Sequence, residues 1–267
     1  MKTMKIIQLE LRDDFKRTER AVRGRPTDPS HVRRTIAREN TAVSAPNTDP
    51  VLVFLKGAIP ARLYNRAFQM WWPAATRELS NRFSATGHKG IKNRSGRIRI
   101  PDDILKTMKE RQGMLGYVVG PHGCYETPLS REHPELLTDN RELIELVSSL
   151  YQKQLPTLHA WQLAHVINKP HLFGTPYTTA YFVKSLECHY HQDGRNLPGS
   201  ITAIMPMGEF SGGELVLARY GIKIAYRPGD LLLFDAKLFH GNLPFAGLRM
   251  SAVYYTDRNV SKCGATV

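Results

Sequence analysis

An α+β fold is predicted, with a helical N-terminal layer followed by a double-sheet β core. Three observations predict it. Within residues 139–154, Leu143, Leu146, Leu150 and Tyr151 recur at helical spacing. From residue 175 onward, six short runs rich in β-branched and aromatic residues follow one another: 177–183, 200–205, 213–217, 222–226, 230–234 and 250–255. Turns carrying Gly or Pro separate them, notably Gly212-Gly213 and Arg227-Pro-Gly-Asp230, the spacing of an antiparallel sandwich or barrel. A chain of 267 residues that is 42% hydrophobic has the size and composition of one large domain with a substantial core.

The elements before the β core follow in order. Residues 1–50 are highly charged and interrupted by Pro26, Pro29, Pro46 and Pro50. They are expected as a basic, partly flexible arm with a short basic helix over 17–25. Residues 51–267 are expected as a single domain, mostly helical over 51–174, with the β core over 175–258. Val51-Leu-Val-Phe-Leu55, bounded by Pro50 and Gly57, predicts a strand. Residues 60–82 predict a helix kinked or restarted at Pro73, with Trp71 and Trp72 as packing residues. Residues 84–99 predict a flexible basic loop, and Pro101 opens a helix whose first turn holds Asp102 and Asp103.

The formal charge is +13, and +12 of it lies before residue 111. Residues 77–99 hold seven basic side chains, Lys89, Lys92, Arg94, Arg97 and Arg99 among them, against the single acid Glu78. Such a cluster suits a polyphosphate partner, although a solvated basic surface has the same composition. No apolar run approaches the roughly 20 residues of a membrane span. The N-terminal Met1-Lys-Thr-Met-Lys-Ile-Ile lacks an apolar signal segment. Cys124, Cys188 and Cys263 are too widely spaced for a disulfide framework or a zinc finger. An intracellular, reduced protein without a membrane partner is expected.

The chemistry concentrates in Glu187-Cys-His-Tyr-His-Gln-Asp-Gly-Arg-Asn196. On an extended strand His191 and Asp193 share a face, with His189 behind them, and one metal ion can take both. A third ligand must come from elsewhere, and His240 follows the apolar run 231–234. Two imidazoles and one carboxylate leave positions open, which suits non-haem Fe(II). Nine residues after His240 comes Arg249, with Ser251 two further on and on the same strand face. A guanidinium facing inward from an apolar strand requires an anion, and a bidentate carboxylate fits it. A zinc hydrolase could use the same three ligands but would have no need of Arg249.

The ordered set His191-x-Asp193, Ser211-Gly-Gly-Glu-Leu215, Tyr226-Arg-Pro-Gly-Asp-Leu-Leu-Leu-Phe234, His240 and Arg249 resembles the Fe(II)/2-oxoglutarate-dependent dioxygenases over roughly residues 175–258. The resemblance implies a double-stranded β-helix (jelly-roll) core, iron on His191, Asp193 and His240, and 2-oxoglutarate on Arg249 with Ser251 in support. It implies consumption of O2 and 2-oxoglutarate to oxidise a C–H bond. Within that superfamily, His191-Gln-Asp-Gly-Arg-Asn196 and Arg249-Met-Ser-Ala-Val-Tyr-Tyr255 are similar to the TET/JBP group, which oxidises methyl groups on nucleic-acid bases. That likeness gives Asn196 and Tyr255 to the target base, Tyr255 by stacking; ordinary turn and core roles remain open for both. Asp257 stands where the animal enzymes have His, and its carboxylate would accept from the exocyclic amine of cytosine or adenine. A strand-ending surface role for Asp257 stays open.

The expected reaction is oxidation of 5-methylcytosine in DNA to 5-hydroxymethylcytosine and onward, with N6-methyladenine as a second substrate. Duplex DNA with a flipped base would be the partner, a monomer the working form and the nucleus the location. Lys89, Lys92, Arg94, Arg97 and Arg99 would neutralise phosphates. Hydroxylation of a protein side chain or small molecule is the alternative, with the same iron residues and no use for the basic segment.

Overall fold

The computed structural model describes residues 3–9, 22–44, 48, 50–92, 96, 98–120 and 123–264. The strands are β1 (Lys5–Gln8), β2 (Arg34–Ile36), β3 (Thr41–Ser44), β4 (Leu52–Leu55), β5 (Ile91–Lys92), β6 (Ile98–Arg99), β7 (Arg111–Gly120) and β8 (Gly123–Glu126). They continue as β9 (Thr179–Lys184), β10 (Thr202–Gly212), β11 (Leu215–Leu217), β12 (Ile222–Ile224), β13 (Leu231–Phe234), β14 (His240–Asn242) and β15 (Phe245–Tyr255). The helices are α1 (Ala61–Ala74), α2 (Phe83–Thr86), α3 (Asp102–Thr107), α4 (Pro128–Glu132), α5 (Glu135–Thr138), α6 (Arg141–Gln154) and α7 (Pro156–Ala164). Among the described residues, no helix is long and apolar enough to cross a membrane.

Two sheets face each other. The major one has the order β1-β3-β4-β13-β10-β15-β9-β7-β8, and the minor one β14-β11-β12-β2. Helices α1 and α6 cover the outer face of the major sheet. Trp71 of α1, fully buried, stacks on Phe182 with ring centroids 5.2 Å apart and donates from Nε1 to the Leu136 carbonyl at 2.9 Å. The packing role expected of Trp71 is what this geometry shows. Strand β13 contributes Leu231 and Leu233 to the helix-side core and Leu232 and Phe234 to the core between the sheets. Burial on both faces explains its unbroken apolar run.

The same alternation places the site. Met250, Ala252 and Tyr254 of β15 join the helix-side core, so Arg249, Ser251, Val253 and Tyr255 face the space between the sheets.

Four expectations change. Residues 1–50 are expected as an arm, yet they supply three core strands: β1 pairs parallel with β3, β3 with β4, and β2 parallel with β12. Short edge strands tolerate the many charges because one side stays solvated. Residues 10–21, which hold most of the expected basic helix, lie outside the described residues. The stretch 51–174 is less helical than expected, because β7 runs beside β9 for much of its length and carries the β8 hairpin. On α6 the buried face is Leu143, Ile144, Val147, Ser148 and Tyr151, with Leu146 and Leu150 only half buried. Finally, Cys124 and Cys263, 139 positions apart, form a pair with Cα atoms 5.1 Å apart. Sequence spacing carries no trace of that contact.

Candidate active site

His191 and Asp193 do not sit on a strand, as their i, i+2 spacing predicts, but on a loop following β9, whereas His240 opens β14. What orders the loop is an isolated antiparallel pairing with β14. The His191 N–H donates to the His240 carbonyl at 2.9 Å, and the His240 N–H returns to the His191 carbonyl at 3.0 Å. The two imidazoles thereby stand with centroids 4.4 Å apart. Each Nδ1 lies 2.8 Å from a backbone carbonyl, that of His189 for His191 and that of Leu238 for His240. Donation there puts the proton on Nδ1 and leaves the Nε2 lone pair for a metal. The Asp193 N–H donates to the Ala236 carbonyl at 2.9 Å, which brings Asp193 Oδ1 to 3.6 Å from His191 Nε2.

Potential ligand atoms of His191, Asp193 and His240 all lie within 4.8 Å of one another. Burial, then the neighbouring His240, pushes the His191 pKa down and keeps the ring neutral, as a ligand must be. Burial works against ionising Asp193, but His240, His191, Arg82 and Lys237 together hold its pKa below the usual carboxylate value. Two imidazole nitrogens and a carboxylate converging in a buried site fit a divalent first-row ion with open positions. His189, expected behind them, turns away: its Nδ1 lies 3.1 Å from the Gly24 carbonyl.

Across the same cavity lies Arg249, only 4% exposed. Its Nη2 donates to the Tyr226 hydroxyl at 2.7 Å, and the guanidinium lies 5.3 to 5.7 Å from the rings of Phe245, Phe210 and Tyr226. Its Nε has no partner among the described residues. An arginine buried among aromatic rings with a spare donor fits a small dicarboxylate. Burial raises the Tyr226 pKa against the pull of Arg249 and Ser251, so the hydroxyl stays protonated beside them.

Gly213 has a left-handed φ of 71°, and a Cβ there would lie 3.0 Å from Arg249 Nε. Gly213→Ala is expected to cost about 1–2 kcal/mol of stability from the backbone alone. It should also weaken dicarboxylate binding by displacing Arg249. Gly96→Ala is the control: it carries the same backbone strain at φ 76° with nothing within 4 Å. Denaturant midpoints and calorimetric titration with 2-oxoglutarate separate the two effects.

The remaining wall includes Tyr181, Ile204, Leu215, Phe234, Val253 and Tyr255. Asn196, 3% exposed, lines it too and donates from Nδ2 to Thr202 Oγ1 at 2.6 Å. Asp257 does not line the cavity. It is fully buried, and its Oδ2 accepts from Arg195 Nη2 at 2.7 Å. The side chain beside Asn196 at the wall is therefore Arg195, not a free carboxylate.

Lys89 and Lys92 are exposed, Arg99 pairs with Asp102, and Arg94 and Arg97 lie outside the described residues. Lys89 borders an open cleft with Arg23, Ser84 and His88, and Ser84 adjoins cavity residue Ala85. Sequence reasoning missed Tyr226 and Arg195 as individual site residues. It counted Arg82 only as one charge among seven, yet Arg82 Nη1 stands 3.7 Å from Asp193 Oδ1 and its guanidinium lies over the Tyr181 ring at 4.5 Å.

Comparison with known proteins places this geometry. Bifunctional helicase and thymine dioxygenase JBP2 of Leishmania major is 26% identical over 195 residues, 72% of this chain and 16% of that protein. Thymine dioxygenase JBP1 of Trypanosoma brucei brucei is 28% identical over 140 residues, 49% of this chain and 17% of that protein. The chain thus spans only about one sixth of the length of these curated relatives. The solved structure of NgTET1 in complex with 5mC DNA matches with a TM-score of 0.62 at 14% identity, covering 97% of this chain and 83% of that one. At that identity the likeness shows the fold, the jelly-roll core expected from the sequence. The profile of the Tet_JBP family, described as the oxygenase domain of the 2OGFeDO superfamily, matches residues 121–258. That span is more than half of the chain and holds every side chain of the His-Asp-His cluster together with Arg249, so the chain belongs to the Tet_JBP family of oxygenases, whose superfamily works with Fe(II), 2-oxoglutarate and O2.

Proposed function

We propose that this chain is an Fe(II)/2-oxoglutarate-dependent dioxygenase that oxidises the 5-methyl group of a pyrimidine in DNA. The observation that carries the reading is one cavity lined by both the His191–Asp193–His240 cluster and a buried Arg249 with an unpartnered Nε. His191, Asp193 and His240 would hold Fe(II), while Arg249, Tyr226 and Ser251 would take the distal carboxylate of 2-oxoglutarate. When bound, these groups supply O2-driven oxidation of an unreactive C–H bond, with succinate and CO2 released.

The chain's own residues would bind, orient and exclude water. Ile204, Leu215, Phe234 and Val253 make the cavity apolar. Tyr255, raised in pKa by burial, stays neutral and would offer a ring face to a flipped base, while Asn196 would meet the base edge. The family, the printed activity of the JBP relatives and the 5mC DNA in the NgTET1 structure support a methylated pyrimidine. N6-methyladenine loses its support, since an open Asp257 carboxylate was its basis and Arg195 occupies that group. A monomer acting in the nucleus completes the reading.

The protein would be incubated with Fe(II), 2-oxoglutarate and duplexes carrying 5-methylcytosine or thymine, with nucleosides then read by mass spectrometry. Hydroxymethylated bases are expected. Turnover on a peptide or small molecule, with no oxidised base from any duplex, would overturn the reading. Charge reversal of Lys89 and Lys92 is expected to weaken duplex binding and to flatten the slope of log affinity against log salt, by about 0.9 for each phosphate no longer neutralised. Binding that keeps its affinity and slope would remove these lysines from the DNA path.

A further inference from the structure

Two cysteines meet outside the cavity. Cys124 of β8 and Cys263, which follows the 3-10 turn Val260–Lys262, have Cα atoms 5.1 Å apart, within the span of a disulfide, and their sulfurs are bonded. Cys263 is buried but Cys124 is only half buried, so a small reagent can reach the bond from the β8 side. Cys188, the third cysteine, is free and lines the cavity instead. Both ends of the link lead to Asp257. Cys124 is the cross-strand partner of Val119 in β7. The Val119 N–H donates to Asp257 Oδ2 at 3.4 Å, and its carbonyl accepts from Arg195 Nη2 at 2.8 Å. From the other end, the Cys263 N–H donates to the Val260 carbonyl and the Val260 N–H to the Asp257 carbonyl, each at 3.0 Å.

Asp257 is in turn paired through its backbone with Asn196. On either side, the Leu197 N–H donates to the Thr256 carbonyl at 2.9 Å and the Arg258 N–H to the Arg195 carbonyl at 2.7 Å. Arg195 and Asn196 line the cavity. Residues 256–263 therefore brace the wall: one stretch is zipped to 195–197, and the far end is tied to the β7–β8 hairpin. With the covalent bond in place, the far end cannot lift off β8. Without it, a short 3-10 turn and the apolar cluster of Val119, Val166, Val260 and Cys263 hold that end alone, a small unit open to local fluctuation. We infer that Cys124 and Cys263 form a reversible redox site for low-molecular-weight disulfides and thiols of the glutathione type. Its disulfide fixes the Arg195–Asn196 wall, and its dithiol loosens that wall and weakens substrate binding. In the oxidising step the Cys124 thiolate attacks the reagent's S–S bond and releases one thiol. The Cys263 thiolate then displaces the second, so the pair loses two protons and two electrons and the reagent leaves as two thiols. The effect on substrate rests on the methyl-pyrimidine reading above; the redox site does not.

The test compares the full chain after treatment with glutathione disulfide and after reduction with dithiothreitol. Non-reducing digestion and mass spectrometry should find the Cys124 and Cys263 peptides joined in the first sample and separate in the second. Hydrogen exchange at the amides of Leu197, Arg258 and Val260 should be faster in the dithiol by roughly tenfold or more. For a duplex carrying 5-methylcytosine or thymine, KM should rise several-fold on reduction with kcat little changed. Cys124→Ser should match the dithiol in exchange and in KM, with or without reductant, which separates the effect of the bond from any effect of the reductant on iron. No joined peptide after glutathione disulfide would overturn the inference. Equal exchange at 195–197 in the two states would overturn the coupling of the bond to the wall, and faster exchange with an unchanged KM would overturn its effect on substrate. Absence of product in both states, with Fe(II) bound and the exchange difference present, would sink the methyl-pyrimidine reading and leave the redox site standing.

Discussion

Asp193→Ala is expected to abolish methyl oxidation and stoichiometric Fe(II) binding while leaving duplex binding intact. Asp193 is the only carboxylate in the cluster, and its oxygen lies 3.6 Å from the Nε2 of His191. Its removal leaves two imidazoles with Arg82 and Lys237 nearby, an environment that repels a dication. The loop itself is held by backbone pairing of His191 with His240, which the substitution does not touch, so the fold should persist. Anaerobic Fe(II) or Co(II) titration and nucleoside mass spectrometry measure the two losses. Retention of tight one-to-one metal binding would show that the site lies elsewhere. Arg82→Gln should be milder, about 10- to 100-fold in metal affinity, because Arg82 orients the carboxylate without ligating.

Arg249→Met is the second large expectation. The guanidinium is buried with one donor unpartnered, so the binding partner it awaits is worth more than a surface ion pair. Truncating one side of such a pair costs about 2–5 kcal/mol, a loss of roughly 30-fold to several thousand-fold in 2-oxoglutarate affinity. Without ligand the sign reverses. Replacing an uncompensated buried charge by an apolar side chain of similar length should raise the melting temperature of the ligand-free protein. The stabilisation that 2-oxoglutarate gives the wild type should vanish in the variant. Arg249→Lys would restore charge but not the planar fork, and only part of the affinity. A wild-type 2-oxoglutarate shift preserved in Arg249→Met would place the carboxylate elsewhere.

The candidate ligand residues are legible in the chain because their chemistry is local or periodic. His191-x-Asp193 is a short motif, and Arg249 and Ser251 share a strand face by the two-residue period that β15 displays. The strand geometry that the first pair suggests does not hold: a loop held by His240 brings His191 and Asp193 together. Asp257 reads as a free acceptor in the sequence because a sequence shows a carboxylate but not what it is bonded to. Arg82 and Tyr226 escape assignment for the same reason, since each meets its partner across more than twenty intervening residues.

By itself the sequence determined an α+β chain with a late β core, a His-Asp-His and Arg set, and a net charge of which +12 of +13 lies before residue 111. Those are properties of composition, spacing and strand period, and they survive any packing that keeps the period. The tertiary structure alone decided that residues 1–50 furnish core strands, that Cys124 meets Cys263, and that Arg195 occupies Asp257 beside the cavity. Each of these depends on which distant segments share a surface. Hydrophobic burial drives that pairing through total area, with no local pattern to announce the partner.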